Sequence, residues 1–441
     1  MPVSAKRLVA TVGVAMALVA GATACSSGSS TGSSKPAPVG PAAGTIEWEA
    51  APITQGSNDP RQVLIQAFEK AYPKIKVNLI SGATDTDTLR GTLTTQISGG
   101  SSTPDVYNGD VIWPAQFAHA GLASPLSDYL PSSYWSQFAP GLVSGATYQG
   151  KIYGSPLYAD EGFLYYRKDL LAKAHLPVPT TWEQLVSESK TLQSQGLVKY
   201  GFVWEGGAYE GLTCNWTEFM SDAGGSTINS DASKATINSA ASVKALTFMR
   251  SLISSGVSPS SVTTMQEPQA MSTFDDGQAA FLRNWDYAYS NANTPQNSQV
   301  VGKVGVALPP TFAGQSGPGY SNVGGWNVYL NPHSKNVGAS LAFIKWLASP
   351  AAQDILAGQY SEIPTNQSVR TDPAILAKNP VLAVAAHTKL IARPSQTPQY
   401  PKVSQAVYSN INAALSGSVA PSSALSSASS QIDTAVSGGG L

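Results

Sequence analysis

At 441 residues the chain is long enough for two domains, because single hydrophobic cores stop growing near ~250–300 residues. A net charge of −1 supplies no basic face for nucleic acid, and only 12% of the residues are charged, against roughly 25% in average soluble domains. Eighteen Tyr and nine Trp stand beside that low charge, a composition suited to neutral polar ligands.

The N-terminus reads as a targeting segment. Lys6 and Arg7 precede the short apolar run Leu8–Gly21, which stops short of the ~20 residues a spanning helix needs. Ala22-Thr23-Ala24-Cys25 then resembles a lipobox, with residues 1–24 as signal peptide and Cys25 as the diacylated, membrane-anchored N-terminus. A plain secretory signal with an incidental cysteine is the alternative. Residues 25–44 are too polar and Gly/Pro-rich to build a core and read as a flexible tether. Cys25 and Cys214 are the two cysteines, so lipidation of the first leaves no disulfide, and Cys214 reads as a small buried hydrophobe.

Thr45–Ala51 alternates like a strand. Asn58-Asp59-Pro60 is a helix start, and the helix after it carries Leu64 and Phe68 on one face before stopping at Pro73. With the strand Ile75–Ile80, a helix over Arg90–Ile97 and a strand entered at Pro104–Val106, the opening is that of a parallel α/β layer. Tyr153–Tyr158 reads as a strand bounded by Gly154 and Pro156, followed by Asp160 and Glu161, a second strand at Phe163–Tyr166 and a helix. Further helices are expected at Trp182–Gln195, Val243–Leu252, Met265–Leu282 and Gly338–Leu347, with a strand at Val323–Leu330. In the Ser/Ala/Gly-rich tail Leu425–Val436 is expected as a marginal helix, with fraying after it.

The sequence carries no HExxH, no Cys/His ligand spacing, no EF-hand loop and no GxSxG elbow, so no metal, cofactor or catalytic residue is expected. Gly145–Lys151 approximates a phosphate loop but is followed by Ile152 instead of Ser/Thr, and by a strand. Adjacent acids at Asp160/Glu161 and Asp275/Asp276 point to opposite faces if extended. Asp110 with Asp160 could flank a glycosidic bond, which keeps a secreted glycoside hydrolase as the rival reading.

The stretch YGSPLYADEGFLYYRKDLL (153–171) resembles the sugar-binding proteins of ABC importers, solute-binding protein family 1, in its trehalose/maltose-binding branch. The likeness recurs in order at FEKAYP (68–73), ATDTDTLR (83–90), PDVYNGDVIW (104–113), GFVWEGGAYEGLTCNW (201–216), FDDGQAAFLRNWDYAY (274–289), VGGWNV (323–328) and ARP (392–394). The resemblance implies an α/β fold of the two-lobed periplasmic-binding-protein-like kind (type II), with three hinge crossings and a ligand cleft between lobes. We expect the crossings near Gly154–Asp160, Leu282–Tyr287 and Asn322–Val328. That places 45–156 and 284–324 in the N-lobe, and 157–283 and 325–441 in the C-lobe.

The resemblance further implies a disaccharide ligand and an ABC permease as partner. It implies a monomer held by its lipid on the extracytoplasmic face of a bacterium, with no cofactor and no nucleic acid. It carries over acidic sugar contacts at Asp59, Asp110 and Asp160, arginine contacts at Arg90 and Arg393, and aromatic contacts at Tyr158, Trp285 and Trp326. Trp113 and Tyr287 are further contacts, and Gly324 and Gly325 would let backbone N–H groups approach the sugar. Read from the residues alone, Trp285 and Trp326 could be core tryptophans, Arg393 a structural ion pair, and Asp59 a helix cap. Gln359–Thr365 departs from the family pattern, which bears on the second sugar ring.

Overall fold

A computed structural model describes residue 36, residues 38–52 and residues 59–438. The signal segment, Cys25 and most of the tether lie outside the described residues.

The chain opens with β1 (Gly44–Ala50), helix Pro60–Ala71, β2 (Ile75–Ser81), helix Thr86–Ser98 and β3 (Val106–Asp110). Asp59 caps the first helix, its carboxylate accepting from Arg61 N, and Pro60 takes the first helical position. β1 pairs in parallel with both β2 and β3. A hairpin of β4 (Thr147–Tyr148) and β5 (Lys151–Ile152) precedes β6 (Gly154–Ala159), every residue of which is buried.

The chain then enters a second sheet. β7 (Phe163–Arg167), β8 (Tyr200–Val203), β9 (Ala279–Asn284) and β10 (Val304–Ala307) lie in the order β10-β7-β9-β8. β11 (Tyr320–Asn322) leads out of it, and β12 (Trp326–Leu330) inserts antiparallel between β3 and β6 of the first sheet. With β13 (Ile363–Pro364) at the edge, the first sheet runs β13-β6-β12-β3-β1-β2. Finally β14 (Lys389–Ile391) pairs with β11.

Each sheet has its own core. Trp48 of β1 and Phe68 of the first helix both meet Phe343 edge-on, at 5.1 and 4.9 Å between ring centroids. On the second lobe, Trp182 stacks on Phe219 at 4.2 Å. Helices Glu210–Asp222, Ala240–Ser254, Tyr400–Leu415 and Pro421–Ser437 close that side together. The last of them contains the helix expected at Leu425–Val436, and it is not marginal, because it buries Leu425, Ala428 and Ile432 in the core.

Several expectations need correction. Met265–Leu282 is not one helix: the helix ends at Asp275, Gly277 turns at φ +75°, and Ala279–Asn284 is a fully buried strand. A short apolar run buried on both faces carries no period that separates strand from helix. The lobe boundaries also differ. β12 and the helix Val337–Leu347, expected in the C-lobe, belong to the first sheet, because β3 and β6 take up the hydrogen bonds of β12 and Phe343 packs on Trp48 and Phe68. β10, expected in the N-lobe, pairs with β7 of the second sheet. The chain therefore passes between lobes from β6 to β7, from β10 to β12, and between β13 and the helix Pro380–Ala385 that packs on β10. No crossing falls at Leu282–Tyr287, since β9 and β10 share a sheet. Gly338 lies so close to Gly40 that a Cβ there would meet the Gly40 carbonyl at 2.1 Å, so the end of the expected tether packs on the first lobe.

Candidate functional site

Three neighbouring strands of the first sheet end in one row of side chains. Trp326 opens β12 directly opposite Asp110, the last residue of β3, and on its other side faces Tyr158 of β6. Cross-strand neighbours share a face, so an acid, an indole and a phenol are presented together. Gly324 and Gly325 lead into the row. Gly325 has φ +116°, and a Cβ there would sit 2.5 Å from the Tyr158 carbonyl, so only glycine fits. A Cβ at Gly324 would meet the Trp285 ring at 2.9 Å, so its absence lets the second lobe's indole close on this turn.

The second lobe supplies the opposite wall. Trp285 follows β9, its ring covered by the Arg283 guanidinium at 4.1 Å. Arg283 is itself held by Glu205 and Glu218, with Nη1 and Nε each donating at 2.9 Å. The Tyr165 hydroxyl donates to the Trp285 carbonyl at 2.7 Å, which fixes the backbone under the ring. Tyr287 donates to Glu267 at 2.7 Å, and Glu267 N donates to the Tyr209 hydroxyl at 3.2 Å. Burial, with Glu205 and Asp160 nearby, pushes the Glu267 carboxyl up to about 8.

The walls are bridged at two places. Arg393 Nη2 donates to Asp110 Oδ1 at 3.0 Å, while its Nη1 donates to Glu210 Oε1 at 2.7 Å. Asp110 belongs to the first sheet and Glu210 to the first turn of helix Glu210–Asp222 in the second lobe. At the rim, Gln266 Nε2 donates to Asp85 Oδ2 at 2.9 Å, joining two helix N-caps from opposite lobes. Between the walls lies a cavity of about 1000 Å³ of atom-free space, partly open to solvent. Its aromatic faces and its few convergent polar groups are those of a small-molecule site.

Asp110, Tyr158, Asp160, Trp285, Tyr287, Gly324, Gly325, Trp326 and Arg393 all line this cavity. Three residues singled out from sequence do not. Asp59 caps its helix and is paired with Arg61 at 2.6 Å. Arg90 pairs with Asp87 at 3.0 Å and lines a separate surface depression with Gln399 and Tyr408. Trp113 is buried, stacked on Phe117 at 4.9 Å and edge-on to Trp326 at 6.1 Å, so it backs the cavity without facing it. Glu210, Gln266 and Glu267 line the cavity and were not singled out. Glu210 opens a helix that the sequence did not announce, while Gln266 and Glu267 sit at the start of the helix expected from Met265, where a polar or acidic side chain reads as part of the helix end. Cys214 is buried as expected and reaches the cavity wall.

Asp160, Asp286 and Glu362 place three carboxyl oxygens within 4.8 Å of one another. With no His or Cys beside them they lack the donors zinc favours.

Comparison with known proteins adds to this geometry. A family model for bacterial extracellular solute-binding proteins matches residues 14–354. A probable ABC transporter-binding protein of Deinococcus radiodurans is 32% identical over 365 residues, covering 81% of this chain and 86% of the relative. Among solved structures, maltose-bound MalE3 of T. maritima superposes with a TM-score of 0.81 at 32% identity, over 88% of this chain and 98% of that one. A solute-binding protein of Agrobacterium radiobacter K84 in complex with ribitol gives 0.76 at 27% identity, over 90% and 100%.

Proposed function

Because the chain belongs to the bacterial extracellular solute-binding protein family, we propose that it captures a disaccharide of the maltose or trehalose kind between its lobes and delivers it to an ABC permease. The observation that carries this reading is that Trp326 and Tyr158 from one lobe and Trp285 and Tyr287 from the other line one cavity. Sugar rings offer apolar C–H faces to such plates, and their hydroxyls need charged partners once buried. Asp110, Asp160 and Arg393 are those partners in this reading. Similarity to a maltose-bound structure supports a sugar of two rings. The ribitol-bound neighbour and a 30% identical mannitol-binding relative from Pseudomonas aeruginosa, matched over 150 residues, make polyols the natural competitors.

The family and its structural neighbours are substrate-binding proteins, not enzymes, which removes the hydrolase alternative. The geometry agrees: Asp110 is held by Arg393, so it is not free to activate water at a glycosidic bond.

We further place the protein on the outer face of the membrane through a lipid on Cys25. Among the described residues no helix is long and apolar enough to cross a membrane. Cys25→Ser should therefore move the protein from the membrane fraction to the medium, and retention of that variant on membranes rejects the anchor.

The test of the ligand is a thermal-shift screen of the purified chain against trehalose, maltose, glucose, mannitol and ribitol. A ligand at 100 times its dissociation constant stabilises by ~2.7 kcal/mol, a readily measured shift. A response to polyols alone would reject the disaccharide, and a flat panel would reject the sugar reading.

A further inference from the structure

Behind the cavity wall three carboxyl groups converge from three segments of chain. Asp160 lies in the crossing from β6 to β7, Asp286 follows β9, and Glu362 precedes β13. All three are buried, Asp286 and Glu362 at 0% exposure. Asp160 Oδ1, Asp286 Oδ1 and both Glu362 oxygens meet no N–H or O–H donor among the described residues. Buried acceptors this close together are satisfied if the group holds protons, since each proton turns one carboxyl into a donor for its neighbour.

The charges around the cluster point the same way. Arg393 faces Asp160 but is taken up by Asp110 and Glu210, and Arg283, over the Trp285 ring, is taken up by Glu205 and Glu218. Asp110 from β3 adds negative charge, Glu267 from its helix start is a further acid raised to about 8, and Tyr158 of β6 and Tyr165 of β7 are buried and stay neutral. Burial, then mutual repulsion, holds Asp286 and Glu362 well above the usual carboxylate range, and burial lifts Asp160 to about 7.

The cluster also spans the lobe junction. Ile363, beside Glu362, pairs with Ala159 of the first sheet, while its N–H donates at 2.7 Å to Asp286 on the second lobe. Asp160 belongs to both settings, because it lines the ligand cavity as well.

We propose that closure of the lobes over the ligand takes up protons at the Asp160–Asp286–Glu362 cluster, so that capture is favoured in mild acid and release in mild alkali. This rests on the sugar-binding reading above. Closing removes water from three like charges, so the closed form binds protons more tightly than the open form. By linkage the affinity falls as pH rises, by up to about tenfold per pH unit for each proton taken up.

The test is calorimetric titration of the wild-type chain with its best-binding sugar in two buffers of different ionisation heat, from about pH 6 to about pH 8. Proton uptake on binding is expected, reduced in Glu362→Gln and in Asp286→Asn, with a flatter affinity profile in both. Heats independent of buffer, or uptake unchanged in whichever variant folds, would overturn the proposal. Should no sugar in the panel bind, the sugar reading has failed separately, and scattering on the free protein decides the coupling. The radius of gyration should then grow between the same pH limits in wild type and stay constant in Glu362→Gln; a constant wild-type radius overturns it. Stabilisation by calcium or magnesium in wild type but not in Glu362→Gln would assign the cluster to a cation and overturn it as well.

Discussion

Arg393 and Asp110 meet across the cleft with Nη2 to Oδ1 at 3.0 Å, the guanidinium almost sealed from water. Glu210 holds the other side of the same guanidinium at 2.7 Å. One cation thus ties a strand end of the first lobe to a helix start of the second. Removing it leaves two buried carboxylates facing each other, the situation in which breaking a buried pair costs about 3–5 kcal/mol. Arg393→Ala should lower stability by that order, and Glu210→Gln should restore part of it. Denaturant titration of the single and double variants checks this, and additive losses would show that the two residues act separately.

Trp326→Ala tests the row on the first sheet. Losing a partly buried aromatic contact should weaken sugar binding by roughly 1–3 kcal/mol. Asp110→Ala should weaken it on the order of 1.5–3 kcal/mol through lost charged hydrogen bonds. Titration calorimetry gives both values, and wild-type affinity in both variants would mean that the ligand lies elsewhere.

Arg283 is buried between Glu205 and Glu218 and lies over Trp285. Arg283→Met should destabilise by about 3–5 kcal/mol, because two carboxylates lose their cation in a dry site. Adding Glu205→Gln and Glu218→Gln should recover much of the loss. A Met variant as stable as wild type by urea unfolding would contradict this account.

Asp222 supplies a pH signature away from the cavity. Its carboxylate accepts from Tyr320 N at 2.8 Å and Trp182 Nε1 at 3.2 Å, yet burial pushes it up to about 7. A carboxyl whose folded value lies above its unfolded one, near 3.9, binds more protons in the native state between those limits. Its contribution to stability is full below the lower limit and is lost as pH rises through the upper one. Relative to Asp222→Asn, the wild-type melting temperature should therefore fall from about pH 4 to about pH 7 and then level off. Parallel melting curves for the two proteins would contradict it.

Much of the first lobe was legible because its signals are local. Asp59-Pro60 announces a helix start, and the stops at Pro73 and the alternating strands bracket it. The family resemblance pointed to Tyr158 and Asp160 at the end of β6 and to Gly324–Trp326 at the start of β12, and the structure brings them together. Asp59 shows the limit of such reading: the same carboxylate serves as sugar contact or helix cap with identical neighbours in sequence. Its ion pair with Arg61 decides what it does in this fold.

By itself, then, the sequence determined which segments alternate as strand and helix, where several helices begin, and which small and aromatic residues crowd a turn. These follow from side-chain period and capping, which act over a few residues. Only the tertiary structure decided that Ala279–Asn284 is a strand, that β12 returns to the first sheet, and that Glu210, Glu267 and Glu362 stand at or behind the cavity. Arg393 finds Asp110 from 283 residues away. Such pairs form because sheet pairing and burial bring distant groups into a place without water, where each charge must find a partner or a proton, and no local pattern of residues encodes that place.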